Sequence, residues 1–133
     1  MTERNKHKCK IRYTVTSDGE IFSEETEGLF FRDSEACGFS FTAFSERTVF
    51  TVVENCAVVW RGETYAAFYP DAPYEFTYQT DYGTIPMRFV TSRFSRAESP
   101  ERISIQIEYA AFSDETFVAN HKIELTATEF SVN

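Results

Sequence analysis

From Tyr74 to Thr91 the chain reads YEFTYQTDYGTIPMRFVT, and its side chains change character with a period of two. Tyr74, Phe76 and Tyr78 are spaced by Glu75, Thr77 and Gln79. Beyond the Asp81-Tyr82-Gly83 turn, Ile85, Met87 and Phe89 are spaced by Pro86, Arg88 and Val90. A helix needs apolar residues every three or four positions, whereas a pleated strand sends every second side chain to one face. Two such runs joined by a short glycine-containing turn specify a β-hairpin with one face against a core.

The kind of apolar residue extends this reading to the whole chain. There are 14 Phe and 7 Tyr but only two leucines, Leu29 and Leu125. Leucine favours helices, while aromatic and β-branched side chains fit a half-buried pleated surface. At 133 residues, with 42% apolar content, the chain suits one domain with a real core. Residues 1–9 read as a basic N-terminal tail and residues 10–133 as one barrel domain.

Strands are expected at Lys10–Thr16 and Glu20–Gly28, then from Leu29–Arg32, past a turn or bulge at Asp33–Gly38, on through Phe39–Ser45, and at Thr48–Glu54, Ala57–Arg61 and Thr64–Tyr69. They are followed by the hairpin above, Arg102–Phe112 and Thr116–Thr128. Ser17-Asp18-Gly19 is a hairpin turn signal, and Pro70 and Pro73 end a ladder. Phe94–Glu101 reads as a polar connection. In the last strand Phe117, Ala119, His121, Ile123, Leu125 and Ala127 are expected to share a face. The fold class is therefore all-β: a single antiparallel up-and-down barrel of about eight strands, since closure disposes of edges that a Phe-rich sheet would otherwise expose.

Charge and cysteines exclude several functions. The net charge is −8, with +4 concentrated in residues 1–12 and −12 left for the remainder. An acidic body disfavours nucleic acid, whose binding depends on clustered cations. No stretch approaches 18 apolar residues, so no membrane partner is expected. Cys9, Cys37 and Cys56 are odd in number and lack a CxxC pair; with no signal-like start, a cytoplasmic location with buried thiols is the expectation. Two histidines and scattered cysteines give no metal spacing, and five single glycines give no phosphate loop. No cofactor is expected.

Several segments, taken in order, resemble the YwiB-like family of bacterial β-barrels. They are Thr26-Glu27-Gly28 with Leu29-Phe30-Phe31, AVVWRG at Ala57–Gly62, YQTDYG at Tyr78–Gly83, Arg88–Thr91, and Ile103–Tyr109. The resemblance spans about residues 11–128. It implies a lipocalin-like, calycin-type barrel and no particular activity. The loop Tyr69–Tyr74 departs from the family pattern.

Two residues stand out chemically. His121 is the one histidine in the body of the chain and falls on an apolar strand face, as an acid/base, an anion contact or a satisfied core imidazole. Arg61 ends the apolar run Ala57–Trp60, where its planar fork would suit a ligand carboxylate or phosphate, or an internal acid. Trp60, Tyr65 and Tyr78 supply aromatic walls with polar handles, and Arg88 adds a cation. The expected function is a non-enzymatic binding barrel for a small, partly apolar, anionic molecule, contacted by Arg61, His121, Tyr78, Tyr65, Trp60 and Arg88. The alternative is a protein-interaction barrel with a filled core, with a homodimer burying Phe39–Phe44 or the Trp60 face. A weaker alternative is an enzyme using His121 as base, for which the sequence nominates no nucleophile.

Overall fold

The computed structural model describes residues 6–32 and 36–129. It contains ten strands. They are β1 (Lys6–Ser17), β2 (Glu20–Arg32), β3 (Ala36–Ala43), β4 (Glu46–Val53), β5 (Cys56–Arg61), β6 (Thr64–Phe68), β7 (Tyr74–Thr80), β8 (Gly83–Glu98), β9 (Arg102–Ser113) and β10 (Thr116–Glu129). Neighbours in sequence pair antiparallel, except that β6 and β7 form no ladder, and β1 pairs with β10 from Cys9↔Glu129 to Ser17↔His121. The order β6-β5-β4-β3-β2-β1-β10-β9-β8-β7 is that of an up-and-down, nearly closed barrel.

The seam between β6 and β7 is filled by rings. Phe68 stacks on Phe89 at 5.9 Å between centroids and lies 4.7 Å from Tyr109, while Tyr65 meets Tyr74 at 6.0 Å. The Tyr74 hydroxyl donates to the Tyr65 carbonyl at 3.4 Å, occupying one acceptor on the β6 edge. Inside, Ile11, Phe39, Phe50, Val52, Phe68, Ile103, Ile105, Ile107 and Leu125 are fully buried. Such a set leaves this part of the barrel packed, as narrow barrels usually are. Phe39 and Phe41 belong to this core and are not exposed for a partner.

The structure corrects the expected boundaries in several places, and β3 begins at Ala36, within the expected turn or bulge at Asp33–Gly38, of which residues 33–35 lie outside the described residues. The strands number ten rather than about eight; Glu20–Arg32 is one continuous strand, and Phe94–Glu98 continues β8. Gly28 lets β1 and β3 close in on β2: a Cβ there would stand 2.6 Å from Ile11 Cδ1 and 2.7 Å from the Ser40 carbonyl oxygen. A bulge between Thr91 and Arg93 adds one residue to β8, so Phe94 faces in although it is five residues from the inward Phe89. That change of phase makes a strand look like a polar connection. A second bulge between Phe117 and Ala119 turns Phe117 outward while Ala119, His121 and Ile123 stay on the inner face. Strand β1 begins at Lys6, ahead of the expected Lys10, since buried Cys9 continues the inward phase of Ile11 and Tyr13. The first five residues of the expected tail lie outside the described residues.

Replacing Gly28 with alanine should cost about 1–3 kcal/mol, because a backbone carbonyl stands in the way of the new methyl. Urea unfolding followed by far-UV circular dichroism checks it, with a lowered midpoint expected at unchanged slope.

Candidate functional site

Five turns lie at one end of the barrel, those after β1, β3, β5, β7 and β9. The inner rim of that end is where polar side chains meet the core. In β5 the run Ala57–Trp60 is apolar on both faces, so phase must come from pairing. Val59 opposite Phe50 and Ala57 opposite Val52 are buried, which carries Arg61 to the inner face with them. Trp60 is carried outward and is 49% exposed.

Arg61 is half-buried, with its guanidinium 5.9 Å from the centre of the Phe44 ring. Its Nε is buried and has no hydrogen-bond partner among the described residues. The carboxylate nearest in charge, Glu46 Oε2, stands 3.9 Å away, within ion-pair range but beyond hydrogen-bond length. Buried polar groups are usually satisfied, so an orphaned guanidinium donor needs a reason. Burial raises the pKa of both Tyr13 and Tyr109, and the Arg61 charge opposes that rise in each. The three side chains therefore share one electrostatic neighbourhood inside the barrel.

Backbone strain falls at the same rim. Phe44 and Ser45, joining β3 to β4, have φ of 52° and 66°. A bulky residue seldom accepts this left-handed region, which costs on the order of 1–3 kcal/mol. The conformation is held by the Phe44 N–H, which donates to a Glu24 carboxylate oxygen, and by the Phe44 ring against Tyr13 at 5.8 Å.

His121 sits on the inner face of β10, half-buried, with its ring 5.0 Å from Tyr109. Its Nδ1 lies 2.6 Å from Ser17 Oγ across the β1–β10 ladder. Burial lowers its pKa, and nearby Asp18 partly offsets that. Asp18 is itself fixed: its N–H donates to the Asn120 carbonyl and its carboxylate accepts from the Asn120 N–H, both at 3.0 Å. Arg61 and His121 thus belong to one rim, with Tyr109 between them.

The remaining candidates lie elsewhere. Trp60 and Tyr65 pack edge-to-face at 4.7 Å on the outer surface. Tyr78 is 57% exposed near the β7–β8 turn. Arg88 lies on the outer face, 5.0 Å over the Phe112 ring, in an open groove of about 370 Å³ shared with Glu75, Asp114 and Glu115. Tyr13, Tyr109, Phe44 and Ser17 are rim residues that the sequence did not nominate. Tyr13 and Tyr109 were legible as inward members of alternating strands. Phe44-Ser45 carries no glycine, asparagine or aspartate to mark its turn. Among the described residues, no three His, Cys, Asp or Glu side chains are placed to hold a metal ion, and no helix is long and apolar enough to cross a membrane.

A family model described as "Domain of unknown function (DUF1934)" matches residues 1–125. Among solved structures, the chain is similar to the crystal structure of the ywiB protein from Bacillus subtilis. The identity is 16% and the TM-score 0.76, with 95% of this chain and 94% of that one covered. A comparison with curated proteins finds no match.

The half-buried imidazole makes stability depend on pH. His121 has a folded-state pKa below that of the unfolded chain, near 6.5. Between those two values the unfolded chain binds more protons, so stability falls as pH is lowered through that window. Urea midpoints at pH 7 and pH 5.5 should differ more for the natural chain than for His121→Gln; equal pH dependence would show that the imidazole is not linked to folding.

Proposed function

This chain belongs to the DUF1934 family, and from that membership, which brings a fold without an activity, we propose that its barrel binds a small anionic molecule at the turn-end rim. The acid group would sit on Arg61 and an apolar part against Phe44. The observation that carries this reading is the buried Arg61 Nε, which has no hydrogen-bond partner among the described residues. A carboxylate, sulfonate or phosphate would complete the planar guanidinium fork that Glu46 leaves open. The packed core supports a rim site over a deep one, so the bound molecule is small and partly solvent-facing.

One observation favours a second reading, an interaction module. Trp60 and Tyr65 form an outward aromatic pair, beside a seam edge that has no strand partner among the described residues. The two readings place binding on opposite faces of the same β5 strand, which makes them separable.

Titration with 8-anilinonaphthalene-1-sulfonate, an aromatic anion whose fluorescence rises on binding, tests both. A charge-assisted hydrogen bond is worth about 1.5–3 kcal/mol, which is roughly a 10–100-fold change in Kd. Arg61→Ala should weaken binding by about that factor, and Trp60→Ala should leave it nearly unchanged. Sensitivity to Trp60 alone would move binding to the outer face.

A further inference from the structure

Ser17 and His121 face each other at the rim with 2.6 Å between Oγ and Nδ1, the spacing of a nucleophile and its base. Ser17 ends β1 on the inward phase of Tyr13 and Val15, and it is only partly buried, so its hydroxyl meets the rim rather than the packed core. His121 is faced by Ser17 and the Asp18 charge from the β1–β2 hairpin and by the Tyr109 ring from β9. Burial lowers the imidazole's pKa and so favours its neutral form, in which Nδ1 can accept the serine proton. Asp18, held by Asn120, favours the imidazolium that would follow. On the neighbouring β1–β2 ladder, Ser23 Oγ instead meets the Thr14 hydroxyl, at 2.9 Å.

We propose that Ser17 is a nucleophile activated by His121 and that the substrate class is a small carboxylic ester entering at the rim. Ser17 Oγ would form a bond to the ester carbonyl carbon while its proton passes to His121 Nδ1. The carbon–alkoxide bond then breaks, and the proton leaves with the alcohol. Water, deprotonated by the same imidazole, attacks the acyl-serine and releases the acid, restoring both side chains. The proposal rests on the rim being open to small molecules, as in the binding reading above, but does not require the Arg61 contact.

The test is labelling of the full chain with a fluorophosphonate, which phosphonylates activated serines with loss of fluoride. Expected are a single adduct mapping to the peptide that contains Ser17 and no label on Ser23. The adduct should vanish in Ser17→Ala, and labelling should slow roughly 100-fold or more in His121→Gln. The rate in the natural chain should rise with pH as His121 loses its proton and be flat in His121→Gln. No adduct on a chain with native near-UV circular dichroism overturns the proposal, as does an equal rate in His121→Gln; the pair would then be a cross-strand tie. Because the readout is the modified peptide, it is independent of whether the naphthalene sulfonate binds.

Discussion

Everything else in this molecule follows from the pairing of its first strand with its last. In a meander of ten strands, the β1–β10 ladder joins the two halves into one sheet and leaves β6 and β7 as its ends. Curling brings those ends together without hydrogen bonds between their backbones. Edges of this kind invite pairing with other chains unless they are short or covered. Here β6 is five residues long, the Tyr74 hydroxyl occupies one of its carbonyls, and Phe68, Phe89 and Tyr109 fill the gap from within. Side-chain packing closes what the ladder leaves open.

Closure also decides where chemistry can occur. Isoleucines of β9 and phenylalanines of β3 and β4 fill the interior, so a deep cavity is not the feature to look for. Polarity enters at the turn end, where inward positions run past the packed layers. Arg61, Tyr13, Tyr109 and His121 come from four strands, β5, β1, β9 and β10, and only barrel closure brings them to one rim. The strained Phe44-Ser45 turn lies against the same group, held by Glu24. A guanidinium whose Nε lacks a hydrogen bond, two desolvated phenols and strained backbone in one place cost stability, and sites that keep such features commonly use them.

Much of the fold was legible because most strands keep strict alternation. Ile103 to Tyr109 and His121 to Ala127 face in as their spacing implies, and Asp18-Gly19 turns the chain as its composition suggests. Legibility failed where the period breaks. The bulges near Ser92 and Val118 each add a residue, hiding the far half of β8 and reversing Phe117. For the site, Arg61 and His121 could be picked out as isolated polar groups on apolar strands. Their neighbours could not, because Ser17 and Tyr109 meet His121 through strand pairing, 104 residues apart in the case of Ser17. The phase of Arg61 was undecidable from Ala57–Trp60, which is apolar on both faces, and was fixed only by its β4 partners.

The most direct test is two-dimensional NMR of the isotope-labelled chain during addition of 8-anilinonaphthalene-1-sulfonate. A rim site predicts the largest shift changes at the amides and side chains of Phe44, Arg61, Tyr109 and His121. Changes concentrated at Trp60 and Tyr65, or in the Arg88 groove, with the rim resonances unmoved, would contradict it.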